Sequence, residues 1–361
     1  MKPSDIFGEV DLKLFEISKK TRPIFYSTPV NEETQKEIFF TNNLKNPEFE
    51  FLPFDSDEKP EKLIDTLKSL KVPDGILKEV YQKKINELIL LNELNLCRGN
   101  LRKRKKLSKQ IFGVPSSRCF DFAKNILVGV SGLSYFNDID VEYFIKELRG
   151  CLIRNNLNDW KIELVDKKNM VIHQETKQIF VGKNTIYAQS DIDRLLVHDV
   201  GWHVMRAANG FRQRLKLFVS GFPEYHSTEE GGALLVEQLT GKLEINTLRI
   251  YAARVLAVDA FYRGKSFKYI FDMFLKYGFS RDQSWNLAVR VFRGGGLGKD
   301  HLYIEGFLKM KEFIKTEEDI KLFYVGKIGF TNIELVKNLI KDKFVAPALF
   351  VPDFIKDIKW K

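Results

Sequence analysis

Three short β-rich segments interrupt a chain that is otherwise patterned for helices. They are WKIELVD (160–166), NMVIHQ (169–174) and KQIFVGKN (177–184), and polar turn residues separate them. Short β-rich runs joined by turns are typical of hairpins, so we expect a small antiparallel sheet. Elsewhere apolar residues recur at intervals of three and four, the period of an α-helix. The pattern predicts an α+β protein that is mostly helical.

Predicted helices lie on both sides of these segments. Upstream they cover a segment that Asn31 caps, a segment that Pro60 opens, residues 75–94, the segment GVPSSRCFDFAKNIL, and residues 140–152. Downstream they cover residues 228–239, 243–263, 265–278, 281–292, 300–315 and 331–341, with a strand at KLFYV. We expect a helical N-terminal region over residues 1–114 that packs on a second domain over residues 115–361.

The cysteines and the apolar segments bear on the cellular compartment. Cys97, Cys119 and Cys151 are widely spaced and contain no C-x-x-C pair. This spacing favours reduced thiols in a cytoplasmic protein over a disulfide scaffold. The N-terminus lacks the apolar core of a signal peptide. No window approaches about 18 uninterrupted apolar residues, so we expect no membrane span.

The net charge of +10 favours acidic partners without identifying them. The densest basic run is RGNLRKRKKLSK at 98–109, and it contains no aromatic residue for base stacking. A solvated helix face or linker is the leading interpretation of this run. An acidic protein surface and nucleic acid are the alternatives, and nucleic acid is the weaker one because no recognition module accompanies the run.

The hexapeptide HDVGWH, residues 198–203, carries two histidines with an acid after the first. Many zinc hydrolases present H-E-x-x-H on a helix, with the histidines four apart and the glutamate as general base. Here the histidines are five apart, and Asp199 stands in the place of the glutamate. Ser190 and Asp191 supply a predicted cap upstream, and Asn209-Gly210 a predicted stop. Both histidines therefore fall in the middle of a helix.

The spacing of the two histidines leaves two interpretations open. Positions five apart on an ideal helix differ by about 140°, so His198 and His203 would point to different sides and bind no common metal. Alternatively, the helix gains one residue in a π-type turn, a distortion that is frequent at functional sites, and both imidazoles reach one side. Gly201 lies between them and removes a side chain where such a turn would form.

A second segment, STEEGGALLVEQLTG from Ser227, offers a third ligand. Two histidines and a glutamate, with one position left for water, form a common catalytic zinc set. Glu229 and Glu230 are both candidates. The alternative is that Ser227 and Glu230 form a capping box at the start of a helix, which would explain the glutamate without a metal.

Together the two segments resemble one family. The histidines and Gly201 are followed by R-x-x-N-G and Q, at Arg206, Asn209, Gly210 and Gln213, and then by TEEGGA. This order is similar to that of the tyrosine carboxypeptidases of the microtubule-associated type and their bacterial relatives with a QEGLA motif. The stretches PVNEETQKEIFF and NPEFEF, and VFRGGGLGKDHLYIEG at 291–306, also resemble the family. The resemblance extends from about residue 28 to about residue 310.

The resemblance implies a zinc metallopeptidase with a zincin-like domain and a sheet next to the metal-binding helix. It implies that His198, His203 and Glu230 bind zinc. It also implies a peptide or protein C-terminus as the substrate, ending in tyrosine in the eukaryotic relatives. The chain departs from the family at Asp199, where the family has the glutamate that moves protons during hydrolysis. Aspartate is shorter by one carbon, so we expect zinc binding to persist and activity to be reduced.

Other substrate contacts are predicted by residue type. A terminal carboxylate needs a cation, for which Arg206, Arg293 and Lys299 are candidates. The scissile carbonyl needs a further electrophile, for which Tyr303 or Arg293 is a candidate. Ordinary structural ion pairs remain the alternative for each cation. The segment KQIFVGKN is a candidate for pairing with an extended substrate, or else an ordinary core strand.

Three functions remain after the sequence analysis. The first is a cytoplasmic zinc carboxypeptidase whose activity Asp199 limits. The second, which Asp199 also motivates, is an inactive zinc-containing pseudoenzyme that binds peptides or proteins. The third is nucleic-acid binding through residues 98–109, which predicts affinity that falls steeply with salt.

Overall fold

The structure is a computed structural model that describes residues 2–41, 45–129, 138–166, 170–316 and 318–356. These residues form a mostly helical protein with one small sheet, as the sequence pattern predicts. Within the described ranges, eight helices precede the sheet: α1 Pro3–Lys20, α2 Pro23–Ser27, α3 Glu32–Thr41, α4 Pro60–Ser69, α5 Lys78–Leu96, α6 Leu101–Phe112, α7 Ser117–Gly129 and α8 Val141–Arg154.

Ten helices follow the sheet in the part of the chain that the structure describes. They are α9 Gln189–Leu195, α10 Met205–Arg212, α11 Leu217–Ser220, α12 His226–Leu239, α13 Ile245–Tyr262, α14 Phe267–Lys276, α15 Arg281–Phe292, α16 Leu302–Phe313, α17 Ile333–Lys341 and α18 Asp353–Lys356. A π-helical segment, Leu196–Val204, joins α9 to α10 without a break. The predicted helices are therefore confirmed, with ends that shift by a few residues.

The sheet is mixed, not antiparallel as predicted. It contains β1 Lys161–Val165, β2 Val171–His173 and β3 Gln178–Gly182 in the order β1-β3-β2. β3 pairs antiparallel with β2 but parallel with β1. The sequence pattern predicts where each strand lies but not which strands pair. In the sheet the last strand, β3, lies between the first two. Because β3 is central and carries the buried Ile179 and Val181, it is a core strand with no open edge for a substrate.

Several predicted details are wrong for local reasons. KLFYV is a 3₁₀ turn within Ile320–Val325, whose Phe323 and Tyr324 are buried, and not a strand. The helix after the sheet begins at Gln189 without a side-chain cap from Ser190 or Asp191.

The predicted stop at Asn209-Gly210 is also wrong, because α10 continues to Arg212. The Asn209 side chain instead holds the backbone of residues 349–350. Asn31 likewise uses its side chain on the backbone of Glu48 and Glu50, next to the start of α3.

The chain divides into two compact units whose segments alternate along the sequence. One unit contains Met1–Phe15, Leu133–Glu244 and Gly306–Lys361, and the other contains Glu16–Gly132 and Ile245–Glu305. Residue 114 bounds neither unit, so the expected boundary there stays a prediction. None of the helices among the described residues is both long and apolar enough to cross a bilayer.

The basic run at 98–109 forms α6 and is only partly a solvated face. Arg102, Lys103, Lys106 and Lys109 are exposed, as the leading interpretation expects. Arg104 is fully buried, where its guanidinium donates to Gly296 O at 3.0 Å and to Ser27 Oγ at 2.8 Å. One member of the run is therefore a structural anchor.

Candidate metal centre

The helix that carries HDVGWH holds an extra residue in its turn. Residues Leu196–Val204 are π-helical, while the helices on either side of them are α-helical. The wider turn brings the His198 and His203 rings to a centroid separation of 5.0 Å. Two imidazoles five positions apart thus share one side of the helix. The interpretation with the histidines on different faces is excluded by this geometry.

A hydroxyl from elsewhere in the same unit supports the π-helical turn. A wide turn disturbs the regular ladder of backbone hydrogen bonds, and a buried carbonyl without a donor is costly. Tyr324 Oη donates to Gly201 O at 2.9 Å, and the Tyr324 ring packs edge-on against Trp202 at 5.0 Å. Glycine is not sterically required at 201, since a Cβ there would lie 3.8 Å from Pro352 Cγ, an ordinary contact.

A carboxylate from α12 holds the Nδ1 atom of each histidine. Glu237 Oε1 lies 2.5 Å from His198 Nδ1, and Glu229 Oε1 lies 2.7 Å from His203 Nδ1. Neither Nε2 atom has a hydrogen-bond partner among the described residues. A carboxylate on one ring nitrogen fixes the tautomer and leaves the other nitrogen as the metal ligand, which is the usual arrangement for zinc-binding histidines.

Arg206 connects this arrangement to the rest of the unit. Its guanidinium pairs with Glu229 and donates to Phe323 O and Ile328 O, each at 2.9 Å. The side chain is fully buried. All three guanidinium nitrogens are thus engaged inside the protein, so we assign Arg206 a positioning role in place of the predicted contact with a substrate carboxylate.

The electrostatics of Glu229 follow from these partners. Burial alone would raise the pKa of its carboxyl group, but the charges of Arg206 and His203 hold that pKa far below its ordinary range. For His203, burial would lower the pKa of the imidazole, and Glu229 with Glu230 raises it instead. Glu229 is therefore an ionised, fully partnered group, which leaves Glu230 as the candidate ligand on α12.

Two glycines of the TEEGG motif let α12 approach its neighbours. A Cβ at Gly232 would overlap the Trp202 ring, and a Cβ at Gly231 would overlap the backbone of Gly306. The motif thus combines acids that face the histidines with the small residues that close packing requires. The capping-box alternative for Glu230 is excluded, because α12 begins at His226 and Ser227 lies inside it, with no side-chain cap at its start.

The structure brings a third acidic oxygen to the histidines from their own helix. Ligand atoms of His198, Asp199 and His203 all lie within 4.8 Å of one another. Glu230 is outside this group, although its charge acts on His203. Burial raises the pKa of the Asp199 carboxyl group, and the nearby His198 and His203 charges offset part of that effect. The predicted base Asp199 thus lies beside both imidazoles, while the role of Glu230 as a ligand stays a prediction.

Nitrogen and carboxylate donors at this separation suit a divalent zinc ion. Two imidazoles and one carboxylate match the ligand types and number of catalytic zinc sites. When bound, zinc would polarise a carbonyl and activate water for attack. The charge of the region agrees with a cation: four carboxylates, from Asp199, Glu229, Glu230 and Glu237, surround the histidines.

Three predicted substrate residues, Arg293, Lys299 and Tyr303, lie in the other compact unit. Arg293 NH2 is 3.8 Å from Asp300 Oδ1, and the Tyr303 ring stacks on Tyr251 at a centroid distance of 4.7 Å. Lys299 is partly buried. Their predicted contacts with substrate stay predictions.

Glu237, which contacts His198, belongs to none of the motifs that mark the site in the sequence. One signal was present in the sequence: Glu237 directly follows the apolar run GGALLV. The structure buries this side chain fully. A buried acid on an apolar helix face needs a partner. That requirement points to the histidines once the helix carrying them is in place.

The comparisons with known proteins identify a family. The family described as microtubule-associated tyrosine carboxypeptidase matches residues 37–360. A rat protein named "Microtubule-associated tyrosine carboxypeptidase 1" is 26% identical over 180 residues, covering 46% of this chain and 36% of the relative. A mouse protein named "Putative tyrosine carboxypeptidase MATCAP2" is 23% identical over 230 residues, covering 60% of this chain and 42% of the relative.

The chain therefore spans less than half of the length of these curated relatives. The family match, in contrast, includes the histidine helix, α12 and the segment with Tyr324. Because that match covers most of the sequence, the chain belongs to the microtubule-associated tyrosine carboxypeptidase family.

Proposed function

We propose that this protein is a zinc-dependent carboxypeptidase of zincin-like type that removes a C-terminal residue, tyrosine in the first instance, from peptides or proteins in the cytoplasm. The observation that carries the proposal is the π-helical turn that places His198 and His203 together, each held at Nδ1 by a glutamate. His198, His203 and Glu230 are the proposed ligands. The names of the relatives support the reaction and the substrate class.

Asp199 is the proposed general base and acid. Its carboxylate oxygen takes a proton from the attacking water and delivers a proton to the departing amine. Its position beside both imidazoles supports this role, because a water bound at the proposed metal would be close to the carboxylate. The side chain is one carbon shorter than the family glutamate, and a displacement of about 1 Å reduces rates on the order of 100-fold. We expect slow turnover.

The scaffold orients this machinery through buried contacts. Arg206 fixes Glu229, Glu229 fixes the His203 ring, and Glu237 fixes the His198 ring. An extended substrate would pair with an edge strand, β1 or β2, since β3 is central. Arg293 and Lys299 are retained as proposed contacts for the terminal carboxylate, and Tyr303 as a proposed contact for the scissile carbonyl.

The second candidate is a zinc-containing pseudoenzyme that binds peptides or proteins without cleaving them. Asp199 favours it, because the same residue that weakens catalysis leaves the histidine arrangement intact. Nucleic acid is the least supported partner, since α6 has no aromatic residue on its basic face.

One experiment separates these candidates. Zinc content would be measured together with release of C-terminal residues from a peptide library. The proteins compared are the unsubstituted protein, Asp199→Glu and His198→Ala. We expect about one zinc per chain, lost in His198→Ala, and a rise in kcat/KM on the order of 100-fold in Asp199→Glu. Asp193→Glu, the same change in α9, serves as the matched control.

The outcomes are distinct. A folded protein that binds no zinc would reject both the peptidase and the zinc-containing pseudoenzyme. Zinc binding with no release by either the given protein or Asp199→Glu would favour the pseudoenzyme. Release of C-terminal residues by the given protein would dismiss it.

A further inference from the structure

A second cluster of buried charge lies in the unit that contains Ile245–Glu305. Arg290 Nε donates to Asp300 Oδ2, and Arg293 NH2 lies 3.8 Å from Asp300 Oδ1. Asp300 is fully buried, and the Arg293 side chain is 11% exposed. Arg254, on α13, acts electrostatically on both Arg293 and Asp300. Three guanidinium groups thus share one carboxylate among the residues that the structure describes.

Two of these guanidinium groups form no hydrogen bond with any residue in the described part of the chain. Arg254 forms no hydrogen bond or ion pair with any described residue, and its Nε atom is buried. The Nε atom of Arg293 is also buried without a partner, and the 3.8 Å contact with Asp300 is too long for a hydrogen bond. A buried donor without an acceptor is costly, more so when it is charged. Asp300 Oδ1 is also buried without a hydrogen-bond partner among the described residues, so the carboxylate of the cluster does not satisfy either Nε donor.

The charge balance of the cluster agrees with a negatively charged ligand. Burial would raise the pKa of the Asp300 carboxyl group, but Arg290, Arg293 and Arg254 hold that pKa far below its ordinary range. The pKa of Arg293 is lowered to about 10, first by burial and then by the charge of Arg290. The positive charges are therefore only partly compensated, and a buried cation without compensation is unfavourable.

Aromatic rings hold Arg254 in place without occupying its donors. Its guanidinium carbon lies 4.8 Å from the centroid of the Tyr251 ring and 5.2 Å from that of the Tyr303 ring. The two rings are stacked on each other at 4.7 Å. A cation–π contact orients the planar guanidinium group while its N–H groups remain able to donate. Arg254 is thus preorganised for a ligand.

We infer that Arg254 and Arg293 form a binding site for an oxyanion, with Arg290 and Asp300 positioning Arg293. The ligand chemistry is that of a carboxylate or phosphate group, whose oxygens accept hydrogen bonds from guanidinium forks. Two sources supply it: the terminal carboxylate of a peptide, or a free inorganic anion. With a peptide terminus as its ligand, the inference rests on the proposed carboxypeptidase function and adds Arg254 to the proposed contact of Arg293. Every residue involved is in the segment 245–305, and none is a proposed metal ligand.

The test is a thermal-unfolding titration at constant ionic strength. The full chain with the His198→Ala change, treated with chelator, would be titrated with inorganic phosphate, N-acetyltyrosine and N-acetyltyrosinamide. This background removes anion binding to a metal. We expect an oxyanion to raise Tm by about 5 °C at a concentration about a hundredfold above Kd. The amide, which lacks the carboxylate, is expected to leave Tm unchanged.

Variants locate the effect. Arg254→Met and Arg293→Met should each abolish the shift in Tm. In anion-free buffer Arg254→Met should lower Tm by no more than a few degrees, because it loses ring contacts but no hydrogen bond. Arg254→Lys keeps the charge but not the fork and should weaken binding about tenfold. Arg263→Met is the matched control, since that arginine is 65% exposed and pairs only with Asp259 among the described residues. It should keep the full shift.

Each result decides something. A shift with N-acetyltyrosine supports the site with a peptide terminus as its ligand, and a shift with phosphate alone supports it with a free anion. No shift with either, or a shift that both methionine variants retain, would overturn the inference. A failure here leaves the zinc proposal intact, because zinc content and peptide cleavage are measured separately.

Discussion

The metal centre and the arginine cluster present the same structural problem with opposite signs. Around His198 and His203 carboxylates are in excess, and a glutamate holds the Nδ1 atom of each imidazole. Around Asp300 guanidinium groups are in excess, and two of them lack hydrogen bonds. In both regions a buried ion, Arg206 or Asp300, holds groups that remain available; all three guanidinium nitrogens of Arg206 are engaged, whereas Asp300 Oδ1 has no hydrogen-bond partner in the described part of the chain. The first region suits a cation and the second an anion.

The comparison separates two uses of arginine in one chain. Arg206 and Arg104 are fully buried, and their nitrogens donate to backbone carbonyl groups, a side-chain carboxylate or a hydroxyl. Arg254 is held by ring faces alone. An arginine with filled donors is a structural element, whereas one with open donors is a ligand-binding element. Residue type alone does not separate these two uses.

The largest effect on stability is expected when the Glu229 carboxylate is removed. Glu229→Ala leaves both Arg206 and His203 without their partner in the interior. We expect the free energy of unfolding to fall by about 3–5 kcal/mol, measured by urea denaturation of the metal-free protein. Glu334→Ala, at a side chain that is 82% exposed, should change it by less than about 1 kcal/mol. Equal effects would contradict the assignment of Glu229 as a buried anchor.

The π-helical turn should depend on its hydroxyl more than on its glycine. Tyr324→Phe leaves Gly201 O without a donor, and we expect a loss of about 1–3 kcal/mol in thermal or urea unfolding. Gly201→Ala places a Cβ in ordinary van der Waals contact with Pro352 and should change stability by about 1 kcal/mol or less. A larger effect at Gly201 than at Tyr324 would show that the turn is maintained by backbone freedom instead.

Loss of the carboxylate behind His198 should weaken metal binding without unfolding the protein. Glu237→Gln keeps a hydrogen-bond acceptor for Nδ1 but removes the charge. We expect zinc affinity to fall about 10- to 100-fold, measured by competition with a chromophoric chelator. Glu142→Gln, at an exposed position on α8, is the control. Unchanged zinc affinity in Glu237→Gln would show that His198 does not depend on its carboxylate for metal binding.

The arginine cluster should make stability sensitive to acid. The folded-state pKa of Asp300 is depressed, so its contribution to stability is complete above the unfolded pKa of about 3.9 and is lost as the pH falls below it. Below that pH the given protein should lose stability more steeply than Asp300→Asn, by about 1.4 kcal/mol per pH unit. Asp282→Asn, an exposed aspartate, is the control. Parallel curves down to pH 3 would refute the role of Asp300.

Part of the site follows from sequence and part does not. The spacing of His198 and His203 predicts that a shared metal requires one extra residue in the turn, and the structure contains that turn. The carboxylates behind the rings lie 39 and 26 residues away along the chain. No local pattern relates such distant positions, so these contacts depend on how α12 packs.

The fold, like the site, is predictable from sequence only in its local features. Helices and strands with clear periodicity are confirmed, because local pattern determines them. Strand order is not local, and β3 lies between β1 and β2 for reasons that the alternation of residues does not contain. The same limit applies to Asn209, which resembles a helix stop but binds the backbone of residues 349–350.

The extra residue in the histidine helix also sets the phase of everything that follows it. One inserted residue rotates the downstream helix by about 100° relative to an uninterrupted α-helix. Arg206, Asn209 and Gln213 all bind backbone of the C-terminal segment 323–350. An uninterrupted helix would rotate this face away from its partners. The insertion that pairs two imidazoles therefore also secures the end of the chain, so a change that restores regular winding would detach the C-terminal segment as well as separate the histidines.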